Sequence, residues 1–233
     1  MKRLLDIIVS LAVLSVLVGP LLFVMLVLRL TGEGDIFYLQ ERIGRFGKPI
    51  FITKFATMLR NSPSLGTKDI TLRDDPRVLP FGKLLRKTKV NELPQFWDVL
   101  VGKMSLVGWR PLMPAGFADY SSEVQQRIVL NRPGITGIGS LVFRDEESIV
   151  TRARDAGEDP REFYKSVIMQ YKGSLEIWYS EHAGLMTDLK ILVATAVAVL
   201  RPGWYGFVRW FRDFPPPTNE HLRHVIRTGV ERH

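Results

Sequence analysis

Cysteine is absent from all 233 residues. That excludes a disulfide framework, a Cys-ligated metal and a thiol nucleophile together, and it leaves the redox compartment open. Internal repeats and low-complexity tracts are missing as well. Acidic charge is in short supply: 24 Asp and Glu against 32 Lys and Arg leave a net charge of +8. A chain this basic suits a partner that carries phosphate, whether nucleic acid, nucleotide or an anionic membrane surface. The length allows one medium domain plus an appendage.

Charge is also missing from one long run. Ile7 to Leu28 holds 22 residues without an ionisable side chain, about 33 Å as one straight helix. The run is too long for a cleaved signal peptide, and no small-x-small cleavage pattern follows it. A single membrane span and a re-entrant hairpin both fit. Pro20, after Gly19, removes a backbone donor mid-run and crowds the carbonyl of Val16, so a kink is expected. Lys2 and Arg3 precede the run and Arg29 follows it, which suits a helix that enters and returns to one face. Residues 1–30 therefore read as a re-entrant membrane-anchoring helix.

The stretch richest in chemistry is Lys83 to Pro111. Four cations (Lys83, Arg86, Lys87, Lys89) fall in seven residues. Asn91-Glu92-Leu93-Pro94 then reads as a helix start, with Asn91 as N-cap and Pro94 in the first turn. Leu93, Phe96, Trp97 and Leu100 recur at helical spacing as one apolar face, and Gly102 can end the helix. A positive helix end beside a cation cluster is a site for an anion, phosphate foremost, and Glu92 places a carboxylate at the same spot. Ser105 to Gly108 reads as a short strand that delivers Arg110, a bidentate phosphate donor. Taken singly, each feature has an ordinary structural explanation; their combination within about thirty residues is what points to a site.

Elsewhere the reading is coarser. Ile36 to Leu39 and Pro49 to Ile52 form a β-hairpin with Lys54 at its end. Residues 61–80 are loop-like. Tyr120 to Leu130 is a short helix with Val124, Ile128 and Leu130 inward. Arg132 to Gly139 is a Gly-rich turn able to bring backbone N–H groups to an anion, although most such turns are plain. Asp145, Glu146 and Glu147 are a solvated helix start or, less simply, metal ligands. Asp159-Pro160 caps a helix running to about Lys172-Gly173, with Phe163, Tyr164, Val167, Ile168 and Tyr171 inward. Leu189 to Leu200 is too short to span a bilayer and reads as a core or interfacial helix. Trp204, Tyr205, Phe207, Trp210 and Phe211 mixed with Arg201, Arg209 and Arg212 have the composition of a membrane–water interface, or of an aromatic core edge. The tail beyond Pro215 to Pro217 is loosely ordered.

These residues also carry a resemblance. KRLLDI before the apolar run, QERIG, KF-x-TM at 54–58, DPRVLPFGKLLRKT, ELPQFWDVL, MSLVG-x-RP, RPGITG and DLKIL together resemble the bacterial sugar transferases, small monotopic polyprenyl-phosphate glycosyl-1-phosphate transferases, over roughly residues 2 to 200. The resemblance implies transfer of a sugar 1-phosphate from a UDP-sugar to undecaprenyl phosphate at the cytoplasmic face of the bacterial inner membrane. UMP would be released, Mg²⁺ would be the cofactor, and an Asp-Glu pair would act at the helix start. It also implies a place in surface-glycan assembly beside downstream glycosyltransferases. The expected architecture is mainly α with a small β-hairpin: the re-entrant helix (1–30), a compact cytosolic catalytic domain (31–200) with interfacial amphipathic helices, and an interfacial C-terminal segment (201–233). A homodimer is a further candidate assembly.

Four departures stand out. The family's nucleophilic Asp falls on Asn91, the second Lys of its KFKTM pattern on Ala56, the Pro before its motif Arg on Trp109, and its Ser-Pro helix break on Gly19-Pro20. An amide is a poor nucleophile. Glu92 is therefore expected to serve as nucleophile or Mg²⁺ ligand, with Asn91 capping the helix and offering an amide oxygen to the metal. Asp145 or Glu146 is a candidate second carboxylate. Lys54, Arg86 and Arg110, then Arg77 and Arg132, are the expected phosphate ligands. Two rival functions remain: a catalytically degenerate lipid- or nucleotide-binding scaffold for partner glycosyltransferases, and a membrane-anchored nucleic-acid binder. The second is set aside because the cations cluster with a carboxylate instead of forming a plain stripe.

Overall fold

The computed structural model describes residues 1–62, 76–201, 203–217, 219, 220, 222–224 and 226. Most of it is helical, with two small two-stranded sheets. The backbone divides into two compact units interleaved along the chain. One comprises Leu4–Glu41 and Ile50–Lys103; the other comprises Met1–Arg3, Arg42–Pro49 and Met104–His233.

The first of these units is built on the long apolar helix. Helix α1 (Lys2–Leu30) includes Pro20 and extends five residues before the uncharged run and two beyond it. It is long and apolar enough to cross a membrane. Leu4, Ile8, Leu11, Val16, Leu22, Phe23 and Leu26 are exposed along it, whereas Val24 and Leu28 are buried. The buried pair joins Phe55 and Leu85 in a small core, with Leu21, Met25, Ile36, Phe81 and Val90 around it. The hairpin expected from sequence forms as β1 (Phe37–Ile43) and β2 (Pro49–Phe55), each strand longer than its apolar run. The tip turns at Phe46 and Gly47, both at positive φ. Much of the expected loop over 61–80, residues 63–75, lies outside the described residues. Pro80 opens helix α2 (Pro80–Lys87) at its first position, where its missing N–H costs nothing.

Past α2 the expected single helix from Asn91 does not form. Lys89, at φ 61, turns the chain into a short 3₁₀ turn, Val90–Glu92, and helix α3 spans only Gln95–Leu100. Asn91 thus lies inside a 3₁₀ turn and caps nothing, and Pro94 stands just before the first helical residue. Val101 then leads to Gly102 at φ 88, as expected of a terminator. The buried face also differs. Gln95, Asp98 and Val99 point inward, while Trp97 is 55% exposed. The cause is Asp98, whose fully buried carboxylate accepts the Thr53 backbone N–H at 2.6 Å and the Thr53 hydroxyl at 3.1 Å, with Lys103 Nζ at 3.3 Å. A buried carboxylate with three donors outweighs the burial of one indole edge.

The second unit has a parallel pair at its centre: β3 (Ser105–Val107) and β4 (Gly134–Thr136), in register Ser105 with Gly134 and Val107 with Thr136. Between them lie α4 (Pro114–Ala118) and α5 (Ser122–Ile128). Ser121 caps α5, and Val124 and Ile128 are buried as expected, but Leu130 is exposed because the helix ends two residues earlier. The Gly-rich turn is used for packing. A Cβ at Gly134 would sit 2.1 Å from the Gly108 nitrogen, and the Gly134 N–H donates to the Trp109 carbonyl at 2.9 Å. Only glycine lets the two strands approach this closely.

Helices α6 (Ile138–Val142), α7 (Glu146–Asp155) and α8 (Pro160–Phe163) follow. Asp159 caps α8 by accepting from the Arg161 and Glu162 N–H groups at 2.9 and 2.8 Å. The chain then passes through a π turn, Tyr164–Ile168, into α9 (Met169–His182). The helix therefore continues nine residues past Gly173. Helix α10 (Leu185–Leu200) begins four residues before the expected start; it buries Asp188, Ile191, Ala194 and Ala198 and exposes Met186, Leu189, Val193 and Val199. Within this unit Lys2 Nζ donates to the Val107 carbonyl, the Tyr179 hydroxyl and Asp188, at 2.9, 2.9 and 2.5 Å. The aromatic stretch after α10 is partly core. Tyr205 and Phe207 are buried, Trp204 packs edge-on to Phe207 and Trp210, and Trp178 takes Phe211 and Phe214. Leu222 and Ile226 are buried; residues 218, 221, 225 and 227–233 of the tail, expected to be loosely ordered, lie outside the described residues.

Candidate active site

Two of the expected site residues meet in the first unit. Strand β2 presents Lys54, and the 3₁₀ turn before α3 presents Glu92, with Lys54 Nζ 3.6 Å from Glu92 Oε1. Their side chains are 15% and 22% exposed, so the pair is screened from water yet reachable. Asp98 is what brings them together. By taking the N–H of Thr53, it fastens β2 to α3 one residue before Lys54. Asp98 was missed by sequence reasoning, and its signal was an acid set among apolar residues in QFWDVL.

Asn91 is 7% exposed, and its side-chain oxygen has no hydrogen-bond partner among the described residues. Buried polar atoms are rarely left so. A buried amide oxygen beside a carboxylate is the donor set of a hard divalent cation, which takes one or two side-chain oxygens and completes its shell with water and phosphate. The residues fit such an ion. No group of three or more His, Asp or Glu side chains able to hold a metal exists among the described residues. Ala56, where the resemblance places a lysine, is buried in the same unit. Lysine and aspartate are thus both replaced by uncharged residues at buried positions.

The other expected cations are distributed. Arg77 is buried and donates to the Ser62 carbonyl at 3.1 Å, a backbone-holding role. Arg86 is half-buried with Nη1 3.7 Å from Met58 Sδ. Arg110 and Arg132 belong to the second unit. Arg110 is exposed three residues beyond β3, and Arg132 is half-buried two residues before β4. Trp109, in place of the resemblance's proline, is buried with its indole N–H on the Asn131 carbonyl at 3.0 Å. It fixes the segment by packing where proline would fix it by ring closure.

The acidic run at 145–147 is also in the second unit. Glu146 is tied to Lys172 on α9, and Lys172 lies over the rings of Phe143 and Tyr164 at 5.2 and 5.5 Å. Glu146 is thus engaged as a partner of a buried cation. Burial holds the Lys172 ammonium below the usual lysine range, and Glu146 draws it back up. Tyr164 is pushed upward by its burial and then by Glu146.

Comparison with known proteins settles the class. The profile of the bacterial sugar transferase family matches residues 1–202, and the chain belongs to that family. Among its relatives is the undecaprenyl-phosphate galactose phosphotransferase of Salmonella typhimurium, 31% identical over 215 residues, which cover 86% of this chain and 40% of that protein. The UDP-glucose:undecaprenyl-phosphate glucose-1-phosphate transferase of Klebsiella pneumoniae is 39% identical over 143 residues, covering 60% of this chain and 30% of the relative. The exopolysaccharide production protein PSS of Rhizobium leguminosarum is 32% identical over 212 residues, 87% of this chain and 96% of the relative. The chain therefore spans well under half of the first two proteins and nearly all of the third.

Proposed function

We propose that this chain transfers a sugar 1-phosphate from a UDP-sugar to undecaprenyl phosphate at the cytoplasmic face of the inner membrane, releasing UMP. The observation that carries the reading is the Lys54–Glu92 pair, semi-buried beside an amide oxygen that nothing described satisfies. In the overall reaction the bond between the UMP oxygen and the sugar-bearing phosphorus breaks, and a bond from an oxygen of the lipid phosphate to that phosphorus takes its place. Charge grows on the departing UMP phosphate and must be met by fixed cations. Lys54, Arg86, Arg110 and Arg132 are the candidate cations for this role; Arg77, bonded to Ser62, contributes mainly by holding its own segment.

Glu92 is the reactive carboxylate, either attacking phosphorus or organising the ion, and Lys54, 3.6 Å away, orients it. Asn91 is a neutral oxygen ligand in place of an acid. Mg²⁺ held by Asn91 and Glu92 would supply Lewis-acid stabilisation of the phosphate oxygens. Delivery of the lipid phosphate falls to α1, whose apolar faces sit in the bilayer. Lys2 and Arg29 bracket it, and we read it as re-entrant, so that donor and acceptor meet by proximity. A membrane-bound glycan precursor of this kind is the substrate class that downstream glycosyltransferases extend.

The experiment is a radiolabelled transfer assay with a panel of UDP-sugars, undecaprenyl phosphate and Mg²⁺. Glu92→Gln is expected to lower turnover about a hundredfold or more, and Asn91→Asp to keep or raise it; full turnover by Glu92→Gln removes the role given to Glu92. A second reading, a binding scaffold without catalysis, is favoured by the amide at position 91. It predicts retained UDP-sugar binding with no UMP release for any sugar in the panel.

A further inference from the structure

Glu176, on α9, is a buried carboxyl group that the reaction above does not use. Its surroundings are specific. Gly139 on α6 faces it so closely that a Cβ there would lie 2.4 Å from Glu176 Oε1; the glycine is what leaves room for the acid. The backbone N–H of Arg110 donates to the carboxyl group. Its other oxygen, Oε2, is buried with no hydrogen-bond partner among the described residues. All of these residues belong to one unit.

We propose that Glu176 is a positioning residue for Arg110: its buried carboxyl takes the Arg110 backbone N–H and thereby fixes the segment that aims the guanidinium at phosphate. The inference rests on the transferase reading for what Arg110 serves, and on the geometry alone for what Glu176 does. Arg110 follows a segment already held on its other side. The Gly108 N–H donates to Thr136, the Trp109 carbonyl accepts from Gly134, and the Trp109 indole donates to Asn131. Glu176 supplies the last bond of that clamp, from the helix side. The exposed Arg110 side chain leaves a backbone that is immobilised at three successive residues. That is the preorganisation a phosphate clamp requires.

Glu176 does this as the neutral acid. The charged or titratable groups around it are Lys172 one turn earlier on its own helix, Arg110 on the segment after β3, and Tyr120 ahead of α5; α6 presents only Gly139. Lys172 is already bound to Glu146 and covered by two aromatic faces. A carboxylate with one such bond and an orphan oxygen is disfavoured in full burial. Burial pushes the Glu176 carboxyl up to about 8, with Lys172 and the Arg110 N–H only partly offsetting it. Above that pH a buried negative charge appears behind Arg110 and weakens the local positive potential.

The test uses the full chain in detergent or nanodiscs, with the Arg110 backbone amide followed by ¹⁵N–¹H NMR from pH 6 to 9 and the KM for UDP-sugar measured alongside. The amide resonance of the wild-type chain is expected to titrate with a midpoint near pH 8, and KM to rise about fivefold across the same range with kcat changed less. Glu176→Gln, which keeps an acceptor and cannot ionise, is expected to hold the amide at its neutral-pH position and flatten the KM profile. Gly139→Ala, which crowds the carboxyl without removing it, is expected to shift the amide at every pH and to raise KM. A wild-type amide that does not move, or a Glu176→Gln chain that titrates as the wild type does, overturns the inference. No transfer from any UDP-sugar by a wild-type chain whose Arg110 amide does titrate supports the Glu176–Arg110 coupling and counts against the transferase reading instead.

Discussion

Position 91 shows how one atom's change redistributes a site's chemistry. An amide there keeps an oxygen and gives up a nucleophile, and the proposed function therefore assigns the chemistry to Glu92, with the Lys54 ammonium 3.6 Å from it. Identity at these two positions was readable in the sequence; the burial of the Asn91 oxygen was not, because the chain enters a 3₁₀ turn through a left-handed Lys89. Glu176 was invisible for a related reason. Gly173 looked like a helix end, yet the neighbouring packing on α9 carries the helix through it, and the acid three residues on is drawn into the core. Its raised pKa has a consequence for stability. The folded chain binds this proton more tightly than the unfolded one, whose carboxyl titrates near 4.5. Folding stability is therefore lost as pH rises from about 4.5 through about 8, by ~5 kcal/mol at most. Thermal melts should show Glu176→Gln gaining on the wild type across that window; parallel Tm curves would contradict it.

Among the elements, Asp98 ties the hairpin to α3 through Thr53. Periodicity identified α3 as a short helix with Gly102 at its end, but chose the wrong face, since hydrophobic spacing carries no information about a carboxylate that captures a strand. The parallel β3–β4 pair was half legible: three-residue strands have no period to detect, and RPGITG reads equally as a turn. By contrast the Asp159 cap and the inward Val124 and Ile128 followed directly from local rules. Replacing Asp98 with Ala leaves the Thr53 N–H and Lys103 without their shared acceptor. Chemical denaturation should register a loss of about 3–5 kcal/mol, with transfer activity falling alongside as Lys54 loses its fixed distance from Glu92. A variant as stable and as active as wild type would show that Asp98 does not hold this site.

At the scale of the whole molecule the question is how α1 meets the bilayer. Its length and lack of charge were plain in the sequence, as was a basic residue near each end; which side of the membrane each end occupies is decided by packing that composition does not encode. At the start of the helix, Lys2 is bound to Val107, Tyr179 and Asp188, while Val24 and Leu28 near its other end join a small core with Phe55 and Leu85. The proposed re-entrant reading of α1 and a single span differ in where these two ends lie. The lack of cysteine makes this testable without background labelling. Single Arg3→Cys and Thr31→Cys chains in sealed inverted vesicles should both react with a membrane-impermeant maleimide. Reaction of one and protection of the other would mean that α1 crosses.

The most direct measurement follows the phosphorus itself. UDP-sugar labelled with ³²P at the β-phosphate is incubated with undecaprenyl phosphate and the membrane-bound wild-type chain. The label should pass to the lipid phase while unlabelled UMP accumulates in equal amount. Label that stays with the nucleotide, or leaves it as inorganic phosphate with no lipid product, would contradict the proposed transfer.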